Sequence, residues 1–120
     1  MQTVAVVGAS PKEDRYSYKA MQMLTEKGHQ AIPVAPGKSE ILNKKCYASL
    51  ADITEKIDTV TMYVGSARQT DIIKDICAIK PQRVIFNPGT ENPDVYPKLQ
   101  ALGINVQIAC TLVLLSTGQF

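Results

Sequence analysis

Apolar runs and small-residue turns alternate along this chain in a regular way. Thr3–Val7 is a continuous apolar run of the kind a strand shows when both its faces are buried. Gly8-Ala9-Ser10-Pro11 reads as a turn and Lys12–Arg15 as a polar loop. A helix is predicted from about Ser17 to Lys27. Ala20, Met21, Met23 and Leu24 form its apolar face, and Gly28 stops it. His29–Val34 is the second strand. Ala35–Lys45 reads as loop, with Ile41 and Leu42 tucked inward, and Cys46-Tyr47 as a short extended piece. Ser49–Asp52 has the serine-to-acid spacing of a short helix start.

The second half repeats the alternation. Asp58–Val64 is the third strand, rich in branched and aromatic residues. Ser66–Gln69 has capping-box spacing, and Ile72, Ile73, Ile76 and Ile79 make a helical apolar stripe. Arg83–Phe86 is the fourth strand, and Asn87–Thr90 turns the chain. Asn92-Pro93 places a cap before a proline, which predicts a helix to about Leu102, stopped by Gly103. Ile104–Ala109 is the fifth strand. Thr111–Leu115 is too apolar for a free tail and is expected to pack back as a last turn or strand. Strands alternating with helices over short connections predict an α/β fold. The expected architecture is a Rossmann-like three-layer sandwich with a five-stranded, mainly parallel sheet, a single domain over residues 1–120.

Composition narrows the function classes. The chain has 120 residues, 45% hydrophobic and 20% charged, which fits one globular domain. Thirteen Lys and Arg against eleven Asp and Glu give a net charge of +2, with no basic stripe for nucleic acid. No apolar stretch is long enough to cross a membrane, and the N-terminus runs straight into the first strand without a signal-peptide pattern. The expected compartment is the cytoplasm. Three widely spaced cysteines, Cys46, Cys77 and Cys110, fit reduced thiols better than a disulfide framework or zinc site.

In an open parallel sheet the ligand lies at the carboxyl ends of the strands. Here all five exits are rich in small residues, and none carries a histidine or a paired carboxylate. Gly8 allows a tight turn, and Ala9 and Ser10 let backbone amides approach a phosphate before a helix N-terminus. The same turn also serves as a plain tight connection, since the full G-x-G-x-x-G is absent. The second exit, Pro33–Lys38, has no acid to select the free ribose hydroxyls of NAD. Pro36-Gly37-Lys38 instead suits an adenosine carrying an extra phosphate. Lys38 either pairs with that phosphate or is a solvated surface lysine, and position alone favours neither. Arg15 and Lys12 reach toward a pyrophosphate or are solvated. Ser17 reads as a helix cap. His29 reads as structural, and Cys110, with no histidine to activate it, as a buried small hydrophobe. Tyr63 and Tyr47 flank an adenine or simply pack.

Taken together these segments resemble the CoA-binding domain family, small Rossmann-like proteins related to the N-terminal domain of the succinyl-CoA synthetase α subunit. The resemblance is carried by Val6-Val7-Gly8-Ala9-Ser10, Arg15-Tyr16-Ser17, Gly28-His29, Pro33-Val34-Ala35-Pro36 with Lys38, Tyr47–Leu50, Ile57–Val60, and Gly103-Ile104 before Cys110. It covers nearly the whole chain and implies a site for coenzyme A. Gly8, Ala9 and Ser10 would face the pyrophosphate. Val34, Pro36 and Lys38 would flank the adenosine, with Lys38 near its 3′-phosphate. Tyr63, Val64 and Gly65 would line the other side of the adenosine pocket. Asn87–Thr90 and Cys110 would lie toward the pantetheine arm. Phe86–Gly89 departs from the aromatic and glutamine common in that exit, and Asn43 stands where glycine is common. The resemblance therefore speaks more to the adenosine end. The synthetase's phosphorylated histidine belongs to a further domain, so its catalysis does not carry over.

The expectation is a non-catalytic binder of CoA or an acyl-CoA that acts in sensing, carrying or regulation through a protein partner. A small NADP-dependent reductase, with Lys38 on the 2′-phosphate, and an interaction module with a decayed nucleotide site are the alternatives. Apolar Leu112–Leu115 offers a surface for a homodimer.

Overall fold

The computed structural model describes all 120 residues, Met1–Phe120. Strands β1 (Thr3–Val7) and β2 (Gln30–Val34) flank helix α1 (Tyr16–Glu26). Two short strands, β3 (Glu40–Ile41) and β4 (Lys44–Lys45), form a separate antiparallel hairpin. Then come β5 (Thr59–Met62), α2 (Thr70–Ile79), β6 (Arg83–Phe86), α3 (Tyr96–Ala101), β7 (Asn105–Ile108) and α4 (Thr111–Ser116).

The main sheet has five strands in the order β2-β1-β5-β6-β7, and every pairing in it is parallel. Tyr47 adds a single parallel bridge beyond β2: its N–H donates to the Pro33 carbonyl at 3.0 Å, and its own carbonyl accepts from the Ala35 N–H at 2.9 Å. With that bridge counted as a one-residue strand, the order becomes that of a six-stranded dinucleotide-binding sheet, whose reversal point lies between β1 and β5.

Parallel strands are covered on both faces, which is why β1 reads as an unbroken apolar run. Ala5 and Val7 point into one cluster with Val60, Met62, Ile73, Ile76, Phe86 and Leu99, under α2 and α3. Val4 and Val6 point into the other with Met21, Leu24, Ile41 and Leu115, under α1 and α4. This is the expected three-layer α/β sandwich. Gly28, at φ +85°, lets the His29 N–H reach back to the Leu24 carbonyl at 2.9 Å and turn the chain into β2.

Several local expectations are corrected. The hairpin β3–β4 occupies part of the segment read as loop. Leu42 and Asn43 make its turn with φ of 53° and 62° and no glycine to signal it. Ile41 is buried and Leu42 packs against the same cluster, as expected. Ser66 does not cap α2: Ser66–Arg68 forms a 3₁₀ turn and α2 begins at Thr70 without a side-chain cap. Gln69 turns inward instead of back to Ser66. The helix expected from Asn92 to Leu102 divides into a 3₁₀ turn, Pro93–Val95, and α3. Ser17 lies within the first turn of α1 and does not cap it. Thr111–Leu115 is helical, forming most of α4. The cysteines are free, as expected.

Candidate functional site

The ends of β1, β2, β5 and β6 open into a cleft of about 500 Å³ at the reversal point of the sheet. Gly8, Ala9, Ser10, Arg15, Pro36, Tyr63, Val64 and Gly65 meet there. Val34 lies one step away, lining an adjoining pocket of about 300 Å³ together with Ala48, Leu50, Ile72, Asp71 and Asp75. The two spaces share Gly8, Ala35, Pro36 and Val64. Lys38 lines neither space; it is exposed, and its charge acts on Cys46 at the base of the hairpin. There burial pushes the Cys46 thiol up, against smaller opposing effects of the Ala35 backbone and the Lys38 charge.

Close packing shapes the first turn. Gly8 has φ +89°, and a Cβ there would meet Val64 Cγ2 at 2.9 Å and the Tyr63 carbonyl at 3.0 Å. Only glycine admits this crossing of β1 over the β5 exit. The Gly8 and Ala9 amides do not face the cleft as phosphate donors. Both donate to the Val34 carbonyl, at 2.9 and 3.2 Å, and so tie the first exit to the second. The donors left for an anion are the Ser10 N–H, which bonds to no other group, and those in the first turn of α1, which has no side-chain cap. Tyr16 and Ser17 of that turn line the cleft, and the positive end of the helix points into it. The guanidinium-bearing residues Arg15 and Arg68 stand on the rim.

Two buried amides hold the exits together. Asn87, 2% exposed, donates to Thr61 Oγ1 at 2.7 Å and to the Met62 carbonyl at 2.9 Å, and accepts from the Thr111 N–H at 2.8 Å. Gln69 is fully buried and donates to the Val64 and Thr90 carbonyls, both at 2.8 Å. Asn87, expected toward a pantetheine arm, therefore spends its polar atoms inside the protein, while Pro88, Gly89 and Thr90 reach the cleft. The sequence marks out none of Arg68, Tyr16 and Gln69 as a site residue, Tyr16 entering only within Arg15-Tyr16-Ser17. The place of the first two depends on how the 3₁₀ turn and the first turn of α1 sit against the sheet. For Gln69 the signal, an amide three residues after Ser66, fits a capping box equally well.

A third space of about 410 Å³ opens beside the cleft and shares Tyr16, Tyr63 and Pro88 with it. Cys110 is half-buried in its wall, not in the core as expected. The Tyr63 hydroxyl is buried without a hydrogen-bond partner of good geometry. Burial pushes its pKa up to about 12, against the nearby Thr61 and Thr111 hydroxyls and with the Cys110 thiol. His29 lies just before β2, at the other end of the sheet, where its Nδ1 accepts from the Gln2 N–H at 3.0 Å. No group of three or more His, Cys, Asp or Glu stands where it would hold a metal ion, and no helix is long and apolar enough to cross a membrane.

A family model described as a CoA binding domain matches residues 2–116. An uncharacterized protein of Bacillus subtilis, YneT, is 28% identical over 103 residues, which are 86% of this chain and 76% of that protein. The ADP-forming acetate–CoA ligase of Methanocaldococcus jannaschii is 34% identical over 62 residues, 52% of this chain but 9% of the ligase. A crystal structure of an uncharacterized protein superposes with a TM-score of 0.94 at 42% identity and covers 100% of this chain and 98% of the other.

Proposed function

The chain belongs to the CoA-binding domain family, matched over residues 2–116, and on that footing we propose that it binds coenzyme A or an acyl-CoA in the strand-exit cleft and performs no chemistry on it. The observation that carries this reading is the order of environments along the groove. An apolar pocket at Val34, Leu50 and Ile72 leads to a cationic centre at the α1 N-terminus, Arg15 and Arg68, and then to a second apolar space at Leu112 and Val113. Coenzyme A has that layout: a flat adenosine, a pyrophosphate, then the pantetheine arm. The helix end and two guanidinium groups suit the pyrophosphate. In the first pocket Asp71 and Asp75 offer acceptors to an adenine amino group.

Support for binding without turnover is the placement of the sole histidine, His29, at the end of the sheet away from the cleft. On this reading the protein acts as a sensor, carrier or regulator through a partner.

Calorimetric titration tests the reading. CoA is expected to bind with one site per chain, and heat-silent titration at high ligand concentration would overturn the proposal. Dephospho-CoA is the second ligand. Weaker binding than CoA, with the difference lost in Lys38→Ala, assigns the 3′-phosphate to Lys38; equal affinity removes that role. Release of free thiol from acyl-CoA on incubation with the protein would refute the non-catalytic part.

A further inference from the structure

Resting on the reading that the cleft holds coenzyme A, we propose that the ligand is an acyl thioester with an apolar acyl group, and that this group occupies the cavity between the β6 exit and α4. The cavity measures about 410 Å³, and its walls are Tyr16, Tyr63, Pro88, Cys110, Leu112 and Val113, with Asn87 behind them. None of these residues is Asp, Glu, Lys, Arg or His.

The polar side chain behind the wall, Asn87, is already committed. Asn87 gives both its donors and its acceptor to Thr61, Met62 and Thr111. The Tyr63 hydroxyl oxygen is buried, so the cavity meets the ring of that residue. Water in such a space finds few of the two to four polar partners that hold a buried water. At the rim, Tyr16 is 69% exposed and Val113 54% exposed, two large apolar groups left in solvent where the cavity opens. An apolar chain laid between them covers both.

Position and size select the occupant. The cavity joins the cleft through Tyr16, Tyr63 and Pro88, on the side of the cationic centre opposite the Val34 pocket. A ligand whose pyrophosphate sits at the centre and whose adenosine fills the Val34 pocket therefore sends its thiol end here. A closed apolar cavity of about 150 Å³ already takes a benzene-sized molecule. The end of the pantetheine arm enters this space first, and an apolar acyl group on its sulfur takes up what the arm leaves along Leu112 and Val113.

The test is a calorimetric series with CoA and its acetyl, butanoyl and hexanoyl thioesters, run on the intact protein and on Val113→Asn. This substitution lies on the exposed side of α4, and thermal unfolding checks that the variant folds. Affinity is expected to rise along the series by up to about fourfold per added methylene. In Val113→Asn the rise is expected to flatten, and the slope of affinity against chain length, read relative to CoA with the same variant, is what the substitution changes. CoA binding with no dependence on chain length, or an undiminished rise in the variant, overturns this proposal alone. Absence of binding by CoA and every thioester overturns the reading beneath it, and this proposal with it.

Discussion

Two side chains at the strand exits, Asn87 and Tyr63, make opposite predictions from the same physical rule. Asn87 is buried with its polar atoms paired, so Asn87→Ala strands the Thr111 N–H and the Met62 carbonyl away from water. The expected loss is about 2–4 kcal/mol, read from denaturant unfolding. Tyr63 buries a hydroxyl with no well-formed hydrogen bond. Tyr63→Phe is therefore expected to leave stability unchanged or raise it by about 1 kcal/mol in the same assay. Its titration gives a second readout. Tyr63 ionises near 12 in the folded protein against 10 when unfolded, so its contribution to stability is complete below pH 10 and is lost as pH rises through 12. Ultraviolet titration is expected to show one of the five tyrosines ionising late, and Tyr63→Phe to remove that step. At Gly8 the backbone decides the outcome. Gly8→Ala meets a positive φ and a 2.9 Å contact with Val64, and is expected to cost about 1–3 kcal/mol for the backbone alone.

Among the elements, those whose signal is local were legible in the sequence. Buried strands β1, β2 and β6 announce themselves as apolar runs, and α1 as an amphipathic stretch closed by Gly28. The one-residue bridge at Tyr47 was legible too, as a short extended piece between polar segments. What failed to show was structure set by partners distant in sequence. The Ser66–Gln69 spacing fits a capping box, but the Gln69 amide finds better acceptors in Val64 and Thr90, and the helix starts later. The β3–β4 turn lacks glycine because packing of Ile41 and Leu42 holds it in place. For the site, the glycine and small-residue positions were legible because the fold requires them at strand exits. Arg68 was not, since a cation on an exposed turn looks the same with or without a cleft beside it. The two turns that carry cations at the cleft rim, one leading into α1 and one into α2, give the prediction proper to this scale. Arg15→Ala and Arg68→Ala are each expected to weaken CoA binding about two- to fivefold at low salt. Added salt is expected to shrink that difference in calorimetric titrations, as rim charges are screened.

In the molecule as a whole, the end of the sheet opposite the cleft ties both termini together. Gln2 donates its N–H to His29, and the His29 ring lies 5.1 Å from that of Phe120. The Arg83 guanidinium stacks 4.3 Å over Phe120 and bonds to Thr59, Gln107 and Gln2. Burial, the N-terminal charge and Arg83 hold the His29 pKa below 6.5. Below pH 6.5 the unfolded chain takes up this proton first, so the stability contributed by neutral His29 is complete above 6.5 and falls as pH drops through the lowered folded value. Urea midpoints at pH 7.5 and pH 5 are expected to differ in that direction, and the difference to shrink in His29→Leu. The place of β1 at the centre of the sheet has another consequence, for the chain as it is made. β1 leaves the ribosome ahead of β5, its second neighbour, and the bond from the Thr3 N–H to Asp58 spans 55 residues. At roughly 5–20 residues per second, β1 waits about 3–11 s with one edge unpaired. During that interval the nascent chain presents an apolar strand to chaperones, and it leaves their reach only when its second half arrives.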